Sequence, residues 1–243
     1  MYTNHMQDLN PKVVLAVAAH ADDIDFCMSG SVAKWATAGA EIYYLILTNG
    51  NRGTADHSVK PKQLAKTRQQ EQREAAQLLG VRDVFFCDYD DCALECCDKV
   101  RRDIVRYIRK LRPDTVMTID PTMVYSARWG YINHPDHRQA GQATIDAVYP
   151  LARDHLSFPE LLRRDKLQTH KVDTLLLLNF ENYNYSVDIS DFIEQKQSAM
   201  LAHTSQISDS DTIRQTIHDQ AAYFGQQAGI TYAEPYMRIS IQI

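Results

Sequence analysis

A short apolar run near the amino terminus ends abruptly in three ionisable residues. Residues 13–19 carry no polar side chain, and His20, Asp22 and Asp23 follow almost directly. A continuous apolar run of this length is typical of a strand that is buried on both faces, as in a parallel sheet covered by helices. Because open α/β sheets place their sites at the carboxyl ends of such strands, this junction is a candidate site.

Charged groups at the mouth of a buried strand are costly to desolvate without a partner. A bound metal ion is the simplest partner, because carboxylate and neutral imidazole both ligate zinc. His134, Asp136 and His137 follow a later predicted strand in the same way. A parallel sheet would bring both strand ends to one edge, so that three of these side chains could hold an ion and the others could supply acid–base chemistry.

Each pattern has a plainer interpretation as well. An Asp-Asp pair after a strand can cap a helix and favour its dipole, and a His-x-x-His pair can simply lie on a helix surface. The occurrence of both patterns after strand ends favours a metal site. A Rossmann-like small-molecule binding module stays open as an alternative, although no Gly-x-Gly-x-x-Gly loop follows the first strand.

Predicted strands and helices alternate along the rest of the chain. The predicted strands are 41–48, 82–87, 115–119, 174–179, the short piece 185–188 and the terminal segment 237–243. The predicted helices are one around 32–36 that ends near Gly39, then 63–79, 97–111, 135 to about 148, 191–202 capped by Ser190, and 212–224. This alternation predicts one α/β domain over residues 1–243, with a Rossmann-like, mostly parallel sheet flanked by helices.

Two connections interrupt this alternation. Residues 120–133 form a long loop rich in aromatic side chains, and a loop of this length in a compact domain is commonly functional. Residues 151–170 are predicted to be an irregular surface excursion.

Composition narrows the class of partner. The chain has 243 residues and a formal net charge of −5, which gives no electrostatic reason to expect nucleic acid or a membrane surface. Residues 1–11 are polar and do not read as a signal peptide, and no apolar window approaches a membrane span. Five cysteines, an odd number, indicate reduced thiols and a cytoplasmic location.

Five motifs, in order, resemble those of the LmbE-like or PIG-L-like zinc-dependent de-N-acetylases. They are Ala19-His20-Ala21-Asp22-Asp23, with Ala21 where the family has proline; the glycine-bearing turn 48–53; Arg68-Gln69-Gln70-Glu71; His134-Pro135-Asp136-His137-Arg138; and Ala202-His203-Thr204-Ser205-Gln206. The resemblance covers most of the chain and implies this family's fold and activity.

By this resemblance His20, Asp23 and His137 would be the zinc ligands, although the same donors also suit other divalent ions. Asp22 would be the general base that activates water and later returns its proton to the leaving amine. His134, if protonated, would donate to the developing oxyanion, and Asp136 would orient or charge His134.

The resemblance also suggests residues that contact substrate. Arg68 matches a substrate-binding arginine of the family, and its plainer interpretation is a salt bridge on a helix surface. Asp91 could bind a sugar hydroxyl or serve only in a turn. Trp129, together with Tyr125, Arg128 and Tyr131, could form a sugar platform or simply pack the long loop. His203 is interpreted as structural.

The resulting hypothesis is a metal-dependent hydrolase that removes acetyl from a small N-acetylglucosamine-containing molecule and releases acetate and a free amine. A metal-dependent hydrolase of another amide or ester bond, or of a phosphoester, is the enzymatic alternative. The residues do not identify the aglycone. The family resemblance also implies a homo-oligomer, a trimer or a hexamer.

Overall fold

The computed structural model describes residues 8–242, so part of the polar segment 1–11 and the last residue of the predicted terminal strand lie outside the described residues. The strands are β1 (Val13–Ala18), β2 (Glu41–Thr48), β3 (Asp83–Tyr89), β4 (Thr115–Ile119), β5 (Tyr125–Ser126), β6 (Tyr131–Ile132), β7 (Thr174–Leu178), β8 (Tyr185–Asp188) and β9 (Ala233–Ser240). The α-helices are α1 (Asp23–Cys27), α2 (Ser29–Thr37), α3 (Pro61–Leu78), α4 (Asp98–Leu111), α5 (Pro135–Asp146), α6 (Pro159–Arg163), α7 (Ile193–Leu201) and α8 (Ser210–Ala228).

Seven strands form one sheet in the order β3-β2-β1-β4-β7-β9-β8. Every pairing from β3 through β7 is parallel, and only β9 pairs antiparallel, with both β7 and β8. From β1 the chain first proceeds outward to β2 and β3, and it then crosses back to β4 on the other side of β1. The carboxyl ends of β1 and β4 therefore flank a topological switch point, where open α/β sheets place their ligands. The predicted α/β fold with a mostly parallel sheet is confirmed.

The sheet is covered by helices on both faces, and β1 shows why the sequence requires this. Val14, Ala16 and Ala18 point into one apolar cluster with side chains of α1, α2 and α3. Leu15, Val17 and Ala19 point into a second cluster with side chains of α4 and α5. Alternate strand residues face opposite sides, so a strand that is apolar at every position must be covered on both.

Several local predictions differ from the structure. Ser190 does not cap the helix after it, since residues 190–192 form a 3₁₀ turn and the Ser190 hydroxyl donates to Asp188. The last helix begins earlier than predicted, because Asp209 supplies the cap by accepting from the backbone N–H groups of Asp211 and Thr212. The long loop contains the β5–β6 hairpin, the segment 151–170 contains α6, and the terminal strand begins at Ala233. Between residues 8 and 242, none of the helices is both long and apolar enough to cross a membrane.

A buried ion pair ties the carboxyl-terminal strand to two helices. The ammonium of Lys196 on α7 lies 2.6 Å from the carboxylate of Glu234 on β9, and both side chains are almost fully buried. Glu234 also accepts the backbone N–H groups of Gly30 and Ser31, at 2.9 and 2.8 Å, in the first turn of α2. A carboxylate at a helix amino terminus is favoured by the helix dipole, so Glu234 fixes α2 against the sheet edge.

Replacing Lys196 should therefore be costly to folding. We expect Lys196→Met to lower the free energy of unfolding by about 3–5 kcal/mol, because it leaves the charge of Glu234 buried without its partner. Arg82→Met is the matched control, since it removes an exposed arginine that pairs with Glu41, and it should cost less than about 1 kcal/mol. Urea denaturation measures both variants, and equal losses would contradict the structural role of the buried pair.

Candidate active site

The turn between β1 and α1 presents the first group of site residues. The backbone N–H of His20 donates to the carboxylate of Asp23 at 2.8 Å, which closes the turn. Asp22 has a backbone φ of 94°, in the left-handed region that residues other than glycine rarely adopt. This strained turn directs the side chains of His20, Asp22 and Asp23 toward a cavity above the sheet edge.

His20, Asp23 and His137 bring two imidazole nitrogens and one carboxylate together at the switch point. His20 Nδ1 lies 3.1 Å from His137 Nε2, Asp23 Oδ1 lies 2.9 Å from His137 Nε2, and His20 Nδ1 lies 3.5 Å from Asp23 Oδ2. Ligand atoms around tetrahedral zinc, with bonds of 2.0–2.2 Å, are about 3.3–3.6 Å apart. The observed separations of 2.9–3.5 Å lie within or slightly below this range, so these donors suit a divalent cation after a small outward shift.

Both imidazoles are oriented by partners on their far nitrogen atoms. His20 Nε2 lies 3.0 Å from Asp91 Oδ1 and 3.3 Å from Asp136 Oδ2. His137 Nδ1 lies 3.0 Å from Asn133 Oδ1 and 3.2 Å from the hydroxyl of Tyr131. Partners of this kind hold the proton on the far nitrogen and leave the near nitrogen free to ligate a metal, which is the usual arrangement around metal-binding histidines.

The negative charge of this cluster also favours a bound cation. Burial alone would lower the pKa of His20, but the carboxylates of Asp23, Asp136 and Asp91 raise it to about 12. Burial would likewise raise the pKa of Asp23, yet His137 and His20 hold it well below its usual range. The carboxylates thus create a buried region that demands positive charge, and either a proton or a divalent cation can supply it.

Asp22 lies beside this cluster without being one of the three converging groups. Burial and the neighbouring charge of Asp23 raise the pKa of Asp22 to about 6, and Arg68 opposes this shift. Its carboxylate lies 3.5 Å from Arg68 Nη2, and its backbone N–H donates to Gln72 Oε1 at 3.1 Å. A carboxylate with a raised pKa beside a cation site suits proton transfer near neutral pH.

The surroundings of His134 bear on its predicted role, which was conditional on a protonated ring. His134 is the residue before α5, and its Nδ1 accepts the backbone N–H of Asp136 at 3.2 Å. The proton of the neutral ring is therefore on Nε2. Burial and the nearby His20 and His137 lower the pKa of His134, so the ring is neutral at pH 7. A neutral imidazole with a proton on Nε2 can still donate a hydrogen bond.

The expected contact between Asp136 and His134 also differs. The carboxylate of Asp136 contacts His20 and accepts the backbone N–H groups of Cys92 and Leu94, at 2.8 and 3.3 Å. Only the backbone of Asp136 reaches His134. Its carboxylate turns toward the segment after β3, because that segment supplies two hydrogen-bond donors and His20 supplies a third.

Arg68 and Asp91 are buried parts of the site. Arg68 is 5% exposed, lies 3.5 Å from Asp91, and donates to the carbonyl oxygens of Ala21 and Arg52, both at 3.2 Å. This excludes a plain surface salt bridge for Arg68. Asp91 is 4% exposed and contacts His20 as well, so it does more than occupy a turn.

Trp129 does not support the predicted sugar platform. Its ring packs against Tyr223 and Phe224, with ring centroids 5.4 and 5.9 Å apart, and it is not among the described residues that line the cavity above the cluster. Aromatic side chains in a long loop suit packing and sugar stacking equally well, and here packing prevails.

An open cavity of about 310 Å³ lies over the cluster. Besides the predicted His20, Asp22, Asp23, Arg68, Asp91, His134 and His137, it is lined by Arg52, Gly53, Cys92 and Gln206. Arg52, Gly53 and Gln206 belong to recognised motifs, but none of the three was predicted to line the site. No role at this cavity was predicted for Cys92.

A buried network lies behind the strained turn. His203 Nε2 lies 2.8 Å from Asp25 Oδ2, and the Gln72 amide donates to the same oxygen at 2.6 Å. Gln72 in turn accepts the backbone N–H of Asp22. His203, Asp25 and Gln72 are completely buried. His203 therefore has a definite structural role, because it supports the backbone of Asp22 through Asp25 and Gln72.

A second contact joins α3 to the motif that contains His203. The carboxylate of Glu71 accepts the hydroxyl of Thr204 at 2.9 Å, and it accepts the backbone N–H and the hydroxyl of Ser205 at 2.7 Å each. The Arg68-x-x-Glu71 motif therefore presents Arg68 to the cavity and uses Glu71 to anchor the segment 203–206.

Gly50 gives a direct test of how tightly Arg68 is packed. Gly50 has a φ of +63°, and an added Cβ would lie 3.1 Å from Arg68 Cδ and Nε. Gly229 is the matched control, since it has a φ of +75° and its added Cβ would meet no described atom within 4 Å. In both alanine variants the strain of a left-handed backbone lowers the free energy of unfolding by about 1–2 kcal/mol. We expect Gly50→Ala to lose about 1 kcal/mol more, measured by urea denaturation, because Arg68 must shift. Equal losses would contradict tight packing.

Comparison with known proteins places this geometry in context. A family model described as PIG-L, GlcNAc-PI de-N-acetylase, matches residues 15–148. Diacetylchitobiose deacetylase of Thermococcus kodakarensis is 33% identical over 225 residues, which cover 92% of this chain and 81% of the relative. A probable N-acetyl-alpha-D-glucosaminyl L-malate deacetylase 2 of Bacillus anthracis is 26% identical over 82% of this chain and 83% of the relative.

A solved structure is also similar over nearly the whole chain. N,N'-diacetylchitobiose deacetylase from Pyrococcus horikoshii, complexed with its inhibitor MPG, superposes with a TM-score of 0.87 at 30% identity. The match covers 95% of this chain and 85% of that one.

Proposed function

The chain belongs to the PIG-L family, and from this premise we propose that it is a metal-dependent deacetylase acting on a small molecule that contains N-acetylglucosamine. The observation that carries the proposal is the convergence of His20 Nδ1, His137 Nε2 and Asp23 within 3.5 Å of one another at the floor of an open cavity. Asp22 and His134 line the same cavity.

The ligand set favours zinc, with His20, Asp23 and His137 as the ligands, although these donors also suit other divalent ions. When bound there, such an ion supplies a Lewis acid for the acetamide carbonyl and lowers the pKa of water. The zinc identity, the homo-oligomeric state and the cytoplasmic location stay predictions.

Two side chains supply the proton transfers and the oxyanion contact. Asp22, with its raised pKa, takes the proton of the attacking water and returns it to the amine nitrogen as the C–N bond breaks. His134 donates from Nε2 to the oxygen that gains negative charge, and the backbone N–H of Asp136 fixes the ring in that tautomer. Asp136 and Asp91 hold the ring of His20 for ligation.

The remainder of the cavity suits a small amino sugar. Its volume of about 310 Å³ lies in the range usual for small-molecule sites. Arg68, Asp91 and Gln206 offer donors and acceptors for sugar hydroxyls, and Arg52 adds a cation at the rim. The relatives are named for deacetylation of diacetylchitobiose and of a glucosaminyl malate. Both compounds belong in the substrate panel.

Acetate and free-amine release from this panel tests the proposal with zinc-reconstituted protein. We expect metal-dependent release from at least one N-acetylglucosamine derivative. Asp22→Asn should keep its zinc and lose about 10²–10⁴-fold in kcat, because it removes the base, whereas His20→Ala should lose the metal. Zinc per chain is measured by elemental analysis after gel filtration.

The exposed histidine variant His155→Ala is the control and should keep both zinc and turnover. Full zinc occupancy in His20→Ala would contradict the ligand set. Release from no panel member, with zinc bound, would contradict the deacetylase proposal.

The role of His134 as a neutral donor can be tested by two substitutions. We expect His134→Ala to lower kcat by about 10²–10³-fold while zinc stays bound, because a donor to the oxyanion is lost. His134→Gln retains an N–H donor without a titrating group and should recover part of this loss. Steady-state kinetics on the preferred substrate measures both variants. A glutamine variant no better than alanine would show that the ring must carry a second proton.

A further inference from the structure

A second recess lies beside the cluster and differs in chemical character from the open cavity. It is partly open and has a volume of about 160 Å³, and its apolar part is formed by Phe26, Cys27, Tyr131, Phe180 and Met200. We call it the apolar recess. Its remaining wall consists of Asp22, Asp23 and His137, which also line the open cavity. The two spaces therefore meet at the three residues nearest the reaction.

The local structure explains this apolar lining. Cys27 follows Asp23 by four residues on α1, so that both side chains lie on the same face of the helix. Cys27, Phe180 and Met200 are 9%, 6% and 6% exposed, which makes them part of the protein core. The recess is thus a partly open pocket with core residues on one side and the cluster on the other.

We propose that the apolar recess receives the acyl chain of the substrate and accepts chains longer than acetyl, up to about butanoyl. This inference rests on the proposed function. An amide carbon under attack carries two substituents that point in different directions, the amine with its sugar and the acyl chain. The sugar suits the polar cavity around Arg68 and Asp91, and a hydrocarbon chain suits the recess.

The size of the recess supports a longer chain. An apolar protein cavity of about 150 Å³ holds benzene, which has six carbon atoms. The methyl group of acetyl would therefore leave most of this recess empty, whereas butanoyl would fill it with three carbon atoms beyond the carbonyl. The reaction is the hydrolysis of the same C–N bond by one water molecule, which gives a carboxylate and a free amine whatever the chain length.

Binding of simple carboxylates tests the recess without relying on turnover. Acetate, propanoate and butanoate would each place a carboxylate at the cluster and a chain of increasing length in the recess. With zinc-reconstituted protein, we expect affinity to rise by about fourfold for each added methylene, measured by ligand-observed NMR. Equal affinity from acetate to butanoate, or no binding of any of them, would overturn the proposal.

Two variants should change the rise in affinity with chain length in opposite directions. Cys27→Leu fills the recess and should abolish the rise while acetate still binds. Met200→Ala enlarges the recess and should extend the rise to pentanoate. Cys87→Leu, the same substitution on β3 and outside the recess, should keep the wild-type rise. If neither Cys27→Leu nor Met200→Ala alters the rise in affinity, the longer carboxylate chains bind at another surface and the proposal is wrong.

A parallel assay separates this inference from the proposed function. N-acetyl-, N-propanoyl- and N-butanoylglucosamine carrying the preferred aglycone are compared for amine release. Release of acetate alone, with equal carboxylate affinities, would overturn the inference and leave the deacetylase standing. Rising carboxylate affinities without amine release from any of the amides would overturn the proposed function, and with it the role of the recess in receiving the acyl chain of a substrate.

Discussion

The buried carboxylates around His20 impose the constraint on which the site depends. Asp23, Asp91 and Asp136 all approach this one ring, and each is at most 8% exposed. Three carboxylates so close together and so poorly solvated require compensating positive charge. A proton on His20 satisfies this requirement when no cation is bound, and binding of a divalent cation releases it. The topology supplies the location, because β1 and β4 end side by side at the switch point and the segments after β3 and β4 bring Asp91 and Asp136 to the ring of His20.

The strained backbone of Asp22 is the second constraint, and residues from distant parts of the chain hold it in place through hydrogen bonds. A non-glycine residue with φ near 94° persists only where its surroundings determine it strongly. Gln72 from α3 holds its N–H, Asp25 from α1 holds Gln72, and His203 after α7 holds Asp25. The carboxylate of Asp22 is thereby positioned mainly through its own backbone. This explains why a buried histidine 178 residues away from Asp25 belongs to the functional architecture without contacting the cavity.

The sequence was informative wherever a strand end determined the position of a side chain. His20, Asp23 and His137 could be expected together because β1 and β4 are both parallel strands with chemistry at their carboxyl ends. It was less informative about side-chain direction. Asp136 stands two residues after His134, yet its carboxylate turns to His20 and to the segment after β3, since hydrogen-bond donors in that segment decide its rotamer.

Packing partners distant in the chain were beyond prediction for a different reason. Glu71 and Ser205 are separated by 134 residues, and neither motif alone specifies the other as its partner. Trp129 illustrates the converse problem, because an aromatic ring in a loop suits a ligand or a core equally well, and only the positions of Tyr223 and Phe224 decide the matter. A single sequence can therefore identify the reacting groups more readily than the residues that support them.

The three residues shared by the two cavities hold the reacting groups, and the residues that line only one cavity determine specificity. Asp22, Asp23 and His137 contribute to both spaces, so a change in any of them alters the reacting centre itself. Of these two cavities, Cys27 and Met200 line only the apolar recess, and Arg52 and Gln206 line only the open cavity. Substitutions at these outer positions can change the acyl chain or the aglycone while the cluster keeps its geometry.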